Sequence, residues 1–195
     1  LRWGVSEQAA EDQRTMRICL GEIDRCRALT PCPNYILLLG DRYGWQPVLE
    51  LIPANEFEQI RTHLSQQSPQ TKALKKLVHW YVRDDNARPM VYELQSRKER
   101  QITYARWWSI EKHLGLLLRQ ASKTLDFSQT QLRRYHASAT EQEIAHRGLL
   151  ENNCDDDSAF FFFREIEGLP GDERARQFRD IDSRSEIDTT AQARL

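Results

Sequence analysis

The sequence predicts a three-layer α/β domain with a parallel sheet and a long helical insertion. Two short apolar runs, residues 35–39 and 159–163, are the main reason. Apolar runs bounded by turn residues are typical of strands that are buried on both faces of a parallel sheet. Residues 46–135, which separate the two runs, are too many for a plain connection and are expected to have structure of their own.

An amphipathic helix is predicted over residues 11–29. Its apolar side chains recur at helical spacing, while charged residues occupy the other face; the apolar positions are Met16, Cys19, Leu20, Ile23 and Cys26. Pro31 and Pro33 end this helix, because proline cannot continue it. A helix followed by a buried strand is half of a βαβ unit. The first strand and helix of the sheet are therefore expected to lie before Leu1 and to be missing from this chain.

Most of the insertion is predicted to be helical. Asn55 is a suitable cap for one helix, and a second helix carries apolar positions from Leu74 to Tyr81. Residues 89–94 are predicted to form a short edge strand, since Pro89 lacks the backbone donor of a central strand. The strongest helix is predicted over residues 103–125, which keep one face apolar throughout.

The last third of the chain begins with a predicted helix near Thr140. Thr140 and Glu143 have the spacing of a capping box, in which a hydroxyl and a carboxylate cap each other's backbone. Residues 1–170 are interpreted as one domain. Residues 171–195 are charged and only weakly periodic, so they are interpreted as a tail or a linker toward a downstream domain.

The composition argues against several classes of function. The net charge is −1, with 28 basic and 29 acidic residues, which gives no support to nucleic-acid binding. The chain has no apolar run long enough for a membrane span, no metal-ligand spacing of cysteines and histidines, and no Walker-type loop. Free cysteines without a CxxC pair favour a cytoplasmic protein.

The first candidate site is the loop of residues 40–45, which follows the first apolar run. Ligands of open α/β sheets bind beyond the carboxyl ends of the strands. Gly40 and Gly44 would let the backbone approach a ligand, Asp41 would accept from a ribose hydroxyl, and Arg42 would hold a phosphate; the aromatic residues for stacking on a base are Tyr43 and Trp45. Alternatively, the loop is a structural turn in which Asp41 and Arg42 pair and Trp45 packs under the insertion.

The second candidate is Glu143. A carboxylate near a helix start, beside a sheet edge, is suited to stabilise or attack a sugar carbon as an oxocarbenium ion forms. Glu141 lies two residues earlier and points to another side of the helix, so only one of the two can face a cleft. The alternative interpretation is that Glu143 only caps the helix, where a negative charge is favourable.

These segments carry a resemblance to a known family. The motifs at residues 1–6, 19–23, 36–45 and 138–144 occur in the same order in a domain of unknown function found at the front of NACHT-type signalling ATPases. Such proteins end in WD-repeat or tetratricopeptide arrays, as in the telomerase-associated protein and nephrocystin families, and bacterial relatives resemble defence proteins. Residues 178–182 and Asp188 are similar to the family's tail toward the ATPase.

The resemblance implies a flavodoxin-like fold shared with TIR domains and nucleoside deoxyribosyltransferases. In those relatives a helix-borne glutamate acts on an N-glycosidic bond, and Glu143 matches its position. The first hypothesis is therefore an N-terminal effector or interaction module that works by protein–protein association, with the downstream ATPase and repeat domains as partners and homo-oligomers as a further possibility. The alternative hypothesis is an N-glycosidase with NAD or a nucleotide as substrate. An interaction module is expected to expose an apolar patch, with Trp107 and Trp108 as candidates.

Overall fold

The computed structural model describes residues 4–67, 72–148 and 159–195. The chain divides into two compact units. One, here the insertion unit, consists of Leu1–Ile18 and Gln46–Ala137. The other, here the parallel-sheet unit, consists of Cys19–Trp45 and Ser138–Leu195. Each unit has its own sheet, so the chain is a mixed α/β protein as the sequence predicts.

The helices and strands follow one another as α1 Glu7–Glu11, α2 Thr15–Leu29, β1 Tyr35–Leu39, β2 Leu51–Pro53, α3 Ala54–Gln67, α4 Lys72–Trp80, β3 Tyr81–Asp84, β4 Val91–Leu94, α5 Tyr104–Thr124, α6 Gln129–His136, α7 Ala139–Arg147, β5 Ala159–Phe163 and α8 Thr189–Gln192. The helix predicted over residues 11–29 is α2, which begins at Thr15; the separate helix α1 ends at Glu11, and Gln13 between them has a positive φ of 62°. The predicted helix over residues 103–125 is confirmed as α5.

The parallel-sheet unit contains the two apolar runs as neighbouring parallel strands. β1 pairs with β5 in a register that places Tyr35 opposite Ala159 and Leu39 opposite Phe163. The pairing confirms the predicted parallel sheet, but the prediction that both strands are buried on both faces is wrong. Leu37 is 5% exposed, whereas Ile36, on the opposite face, is 64% exposed. In the described part of the chain, the face that carries Ile36 lacks the covering layer that a parallel sheet normally has.

The insertion unit holds a second sheet that the sequence analysis did not predict. Its strand order is β2-β4-β3, and all its pairings are antiparallel. The prediction of a helical insertion is therefore incomplete. The predicted edge strand is β4, which lies in the centre of this sheet. Pro89 lies before β4, which begins at Val91. Its missing backbone N–H therefore removes no hydrogen bond between the strands.

The main hydrophobic core lies within the insertion unit. The helices and the antiparallel sheet enclose it, and its fully buried members, at most 1% exposed, are Ile52, Phe57, Ile60, Leu77, Tyr81 and Leu114. The rings of Phe57 and Tyr92 stack with their centroids 3.8 Å apart. Tyr81, predicted to belong to a helix, is instead the first residue of β3.

The helix predicted near Thr140 is α7, and its cap differs from the prediction. Ser138 is the N-cap, and its hydroxyl accepts a hydrogen bond from the backbone N–H of Glu141 at 3.2 Å. Glu143 lies further along the helix, so the interpretation of Glu143 as the capping glutamate is wrong. A capping box does form at α6, between Ser128 and Gln131.

Candidate functional site

The loop of residues 40–45 follows β1, and the C-terminal segment of the chain holds it in place. The carboxylate of Asp180 accepts hydrogen bonds from the backbone N–H groups of Tyr43 and Gly44, the latter at 3.3 Å. Asp180 also lies 3.7 Å from the guanidinium of Arg42. Gly44 has a φ of 87°, a conformation that suits glycine and turns the chain toward Trp45.

Asp41 makes two contacts with the same C-terminal segment. Its carboxylate lies 3.4 Å from the guanidinium of Arg179, and its carbonyl oxygen accepts from the side chain of Gln192 at 2.8 Å. If the loop were only a turn, Asp41 would be expected to pair with Arg42. Instead, Asp41 pairs with Arg179 and Arg42 pairs with Asp180. The charges assigned to ribose and phosphate binding therefore already have protein partners.

Tyr43 is the buried member of the loop, with 7% of its surface exposed. Its hydroxyl donates to the carboxylate of Glu141 and accepts from the backbone N–H of Ser138 at 3.0 Å. The Arg194 guanidinium lies 4.8 Å from the centroid of the Tyr43 ring and 3.1 Å from the Glu141 carboxylate. Burial and the hydrogen bond to Glu141 raise the pKa of Tyr43 to about 12. Tyr43 thus fastens the loop to the start of α7.

Glu143, the predicted catalytic residue, faces a different set of side chains. Its half-buried carboxyl is hydrogen-bonded with the Cys19 thiol of α2 and interacts electrostatically with Tyr35 of β1. Burial raises the pKa of Glu143, and the bond from Cys19 opposes this in part. Burial and the Glu143 charge raise the pKa of Cys19, and the same two causes raise that of Tyr35 to about 12.

The structure therefore joins the predicted site residues into two groups. The carboxylate that contacts the loop of residues 40–45 is Glu141, while Glu143 contacts Cys19 and Tyr35. Sequence reasoning identified the loop and both glutamates but missed Asp180 and Arg194. No local motif marks these partners, because Asp180 lies 137 residues after Tyr43 in the sequence.

Trp45 and Trp108 are the exposed tryptophans among the predicted ligand or partner contacts. Trp45 is 39% exposed and Trp108 is 53% exposed, whereas Trp107 is only 3% exposed and belongs to the core. The predicted patch around Trp107 and Trp108 is therefore reduced to Trp108. This residue and the 66%-exposed Tyr104 lie one helical turn apart on α5.

Residues 4–67, 72–148 and 159–195 contain no group of three or more His, Cys, Asp or Glu side chains arranged to hold a metal ion. No helix in these ranges is both long enough and apolar enough to cross a membrane.

Comparisons with known proteins give a family and several relatives. A family model described as a domain of unknown function, DUF4062, matches residues 1–121. The human protein named NACHT domain- and WD repeat-containing protein 1 is 31% identical over 169 residues, which cover 87% of this chain and 10% of that protein. Its mouse counterpart is 32% identical over 169 residues, covering 87% of this chain and 11% of that protein.

A second pair of relatives is more distant. The mouse NACHT and WD repeat domain-containing protein 2 is 27% identical over 161 residues, which cover 74% of this chain and 9% of that protein. The chain thus spans about a tenth of the length of these curated relatives. No solved structure matches the chain significantly.

Proposed function

The chain belongs to the DUF4062 family, and from this premise we propose that it is the N-terminal effector or interaction module of a multidomain NACHT-type protein in signalling or defence. The names of its relatives support the multidomain context, since each combines a NACHT domain with WD repeats. The proposed location is the cytoplasm, where the free thiols of Cys19, Cys26 and Cys32 would stay reduced. The proposed fold is a TIR-like member of the flavodoxin type.

One observation carries the proposal, namely an apolar sheet face that no part of the described ranges covers. Alternate residues of a strand point to the same side, so Ile36 and Leu38 share one face with their partners Phe160 and Phe162. These four side chains are 64%, 73%, 53% and 56% exposed, in that order. We call these four residues the open face. Contiguous apolar surface of this kind marks an interaction site.

The proposed occupant of the open face is another segment of the same multidomain polypeptide. Both faces of a parallel sheet are normally covered by helices, so the open face is suited to an apolar helix. The relatives supply ample chain for this role, because the matched stretch is only about 10% of their length. Covering the exposed half of four large side chains contributes on the order of 4 kcal/mol, which is enough to hold a tethered segment.

Cysteine labelling tests this proposal directly. A cysteine at position 38 (Leu38→Cys) is expected to react rapidly with a maleimide in the isolated chain, because Leu38 is 73% exposed. In the complete multidomain protein the same cysteine is expected to react at least about tenfold more slowly. A covering segment that binds with about 1.4 kcal/mol shifts the equilibrium between the covered and the open face tenfold. Peptide mass spectrometry separates this label from that of the native cysteines.

Val82→Cys is the matched control, because Val82 is an exposed strand residue of the other sheet, with 46% of its surface accessible. It is expected to react at similar rates in both proteins. Equal labelling of position 38 in both proteins would show that the open face has no cover and would contradict the proposal. Protection that disappears on dilution would assign the face to a second copy of the chain, which also contradicts the proposed occupant.

A second candidate function, N-glycosidase activity on NAD or a nucleoside, is favoured by the surroundings of Glu143. Its carboxyl is half-buried, is hydrogen-bonded with the Cys19 thiol and interacts electrostatically with Tyr35, and burial raises its pKa. In the proposed reaction, the bond between the ribose C1′ and the base breaks, and its electron pair leaves with the base. The Glu143 carboxylate stabilises or bonds to C1′, and water then completes the hydrolysis.

Nicotinamide release from NAD by the complete protein tests this candidate. Glu143→Gln is expected to lower the rate at least about 100-fold, the usual scale for a residue that takes part in bond breaking. Only the ionised carboxylate is active, and its pKa is raised. Activity is therefore expected to fall as the pH drops through a value above 4.5, the ordinary value for Glu.

The control for this experiment is Glu165→Gln, since Glu165 is an exposed glutamate of the same unit. The control is expected to keep full activity. Nicotinamide release that persists unchanged in Glu143→Gln would reject Glu143 as the catalytic group. The absence of release from the folded complete protein would reject the candidate function and leave the interaction module untouched.

A further inference from the structure

A groove with a basic rim lies between α4 and α5 in the insertion unit. Its volume is about 590 Å³, and its lining comes almost entirely from these two helices; the lining residues are Lys75, Lys76, His79, Trp80, Ile102, Arg106, Ser109 and Ile110. On α5, Arg106 and Ile110 lie one helical turn apart, and Ile102 lies just before the helix, which begins at Tyr104. The groove therefore follows the N-terminal part of that helix.

The floor of the groove is apolar and firmly supported. Trp80 is 3% exposed and belongs to the core, and its ring meets that of Trp107 at a centroid distance of 5.1 Å. Ile102 and Ile110 pack against the same core. A floor of this kind is fixed in shape before any partner arrives, which lowers the entropic cost of binding.

Arg100 contacts the two groove residues at the C-terminal end of α4, His79 and Trp80. Its guanidinium lies 5.1 Å above the Trp80 ring and donates to the carbonyl oxygen of His79 at 2.7 Å. A second guanidinium nitrogen lies 2.7 Å from the His79 ring nitrogen Nε2. Arg100 therefore adds a fixed positive charge at this end.

The rim carries positive charge that no carboxylate in the described part of the chain neutralises. Lys75 and Arg106 are exposed, and Lys76 is half-buried. Other arginines of this unit have acidic partners, as Arg97 has Glu11 at 3.3 Å and Arg61 has Glu58 at 2.6 Å. None of the lining residues is acidic. The groove is thus an apolar strip bordered by cations.

We propose that this groove binds an amphipathic helix of a partner protein, with apolar residues on one face and Asp or Glu along both flanks. An apolar strip with a charged border is the usual anatomy of a protein interface, in which the core is apolar and the rim polar. A small-molecule site would instead hold its ligand with buried, convergent polar groups. The charged groups here are long side chains at the rim, where they would pair with the acidic flanks of a helix in the groove.

The probe is a synthetic peptide of about 18 residues, long enough to form a helix, with leucines at positions i, i+3, i+4 and i+7 and glutamates on both flanks. Its binding to the 195-residue chain is measured by fluorescence anisotropy of a label on the peptide. Saturable binding that weakens with added salt is expected, because the rim pairs are exposed to solvent. A peptide with lysines in place of the glutamates is expected to bind at least about tenfold more weakly, a difference of about 1.4 kcal/mol.

The test variant is the double charge reversal Lys76→Glu/Arg106→Glu, and the matched control is Lys112→Glu/Lys123→Glu. Lys112 and Lys123 are exposed residues of α5 outside the groove lining, and both variants have the same net charge. The test variant is expected to bind the acidic peptide at least about tenfold more weakly, while the control keeps its affinity to within about twofold. Circular dichroism checks that both variants are folded.

The proposal would be overturned if the acidic peptide did not bind the parent chain, if the two double variants lost affinity equally, or if the lysine-flanked peptide bound as tightly as the acidic one. Inorganic pyrophosphate provides the last comparison. If it bound in place of the acidic peptide, and its binding were lost in the test variant, the groove would be a small-anion site and the proposed helical occupant would be wrong.

Discussion

Glu56→Ala is expected to lower the free energy of unfolding by about 2–4 kcal/mol, a large effect for a single substitution. Glu56 is 3% exposed, and its carboxylate accepts from the Tyr135 hydroxyl at 2.8 Å, from the Gln131 side chain at 3.1 Å and from the Arg134 guanidinium. Removing this carboxylate leaves the hydroxyl of Tyr135, a residue that is 3% exposed, without its acceptor. The half-exposed Arg134 guanidinium can form hydrogen bonds with water instead. The loss of stability is therefore smaller than for a fully buried ion pair.

Urea denaturation followed by circular dichroism measures this loss, with Glu99→Ala as the control. Glu99 is an exposed glutamate of the same unit, and its substitution is expected to change stability by less than about 0.5 kcal/mol. Glu56→Gln should lose less stability than Glu56→Ala, since the amide oxygen of glutamine still accepts one hydrogen bond. A Glu56→Ala protein as stable as the control would show that α6 is held by its apolar contacts alone.

Phe57→Ala is expected to cost about 3–5 kcal/mol of stability. Phe57 is fully buried, its ring stacks on Tyr92 at a centroid distance of 3.8 Å, and it meets Tyr81 at 5.7 Å. The substitution removes these ring contacts and leaves a cavity among residues from α3, β3 and β4. We expect the midpoint of urea denaturation to fall, and tertiary signals from the aromatic side chains to weaken.

Val78→Ala controls for the loss of an apolar side chain from a helix of the same unit. Val78 lies on α4 and is 46% exposed, so its truncation should change stability by less than about 0.5 kcal/mol. A loss in Phe57→Ala no larger than that in Val78→Ala would mean that the Phe57 site collapses without a cavity. That outcome would contradict the close packing between α3 and the antiparallel sheet.

Elements with a long periodic pattern could be predicted from the sequence. The apolar face of α5 and the helix predicted at Asn55, which is α3, were correctly identified, because their apolar spacing repeats over several turns. β2 and β3 were missed, since three- and four-residue strands are too short to show alternation. Tyr81 was assigned to a helix because it continues the spacing of α4, although the chain becomes extended at that residue.

The candidate site, too, could be predicted only as far as local sequence signals reach. The position of the loop after β1 followed from turn residues beside an apolar run, which are local signals. Its partners Asp180 and Arg194 come from a segment that the sequence marks only as charged. The exposure of Ile36 and Leu38 was not foreseen either, because an apolar sequence indicates that a surface avoids water without indicating what covers it.

The pairing of β1 with β5 has a consequence for synthesis on the ribosome. Tyr35 pairs with Ala159, so 124 residues of chain must be made after Tyr35 before its partner exists. At about 5–20 residues per second, the nascent β1 waits for roughly 6–25 seconds with no neighbouring strand of this sheet. The antiparallel sheet of the insertion lies wholly within residues 46–137 and can form during that interval. We therefore expect residues 35–39 to be the segment of the nascent chain that most needs a chaperone.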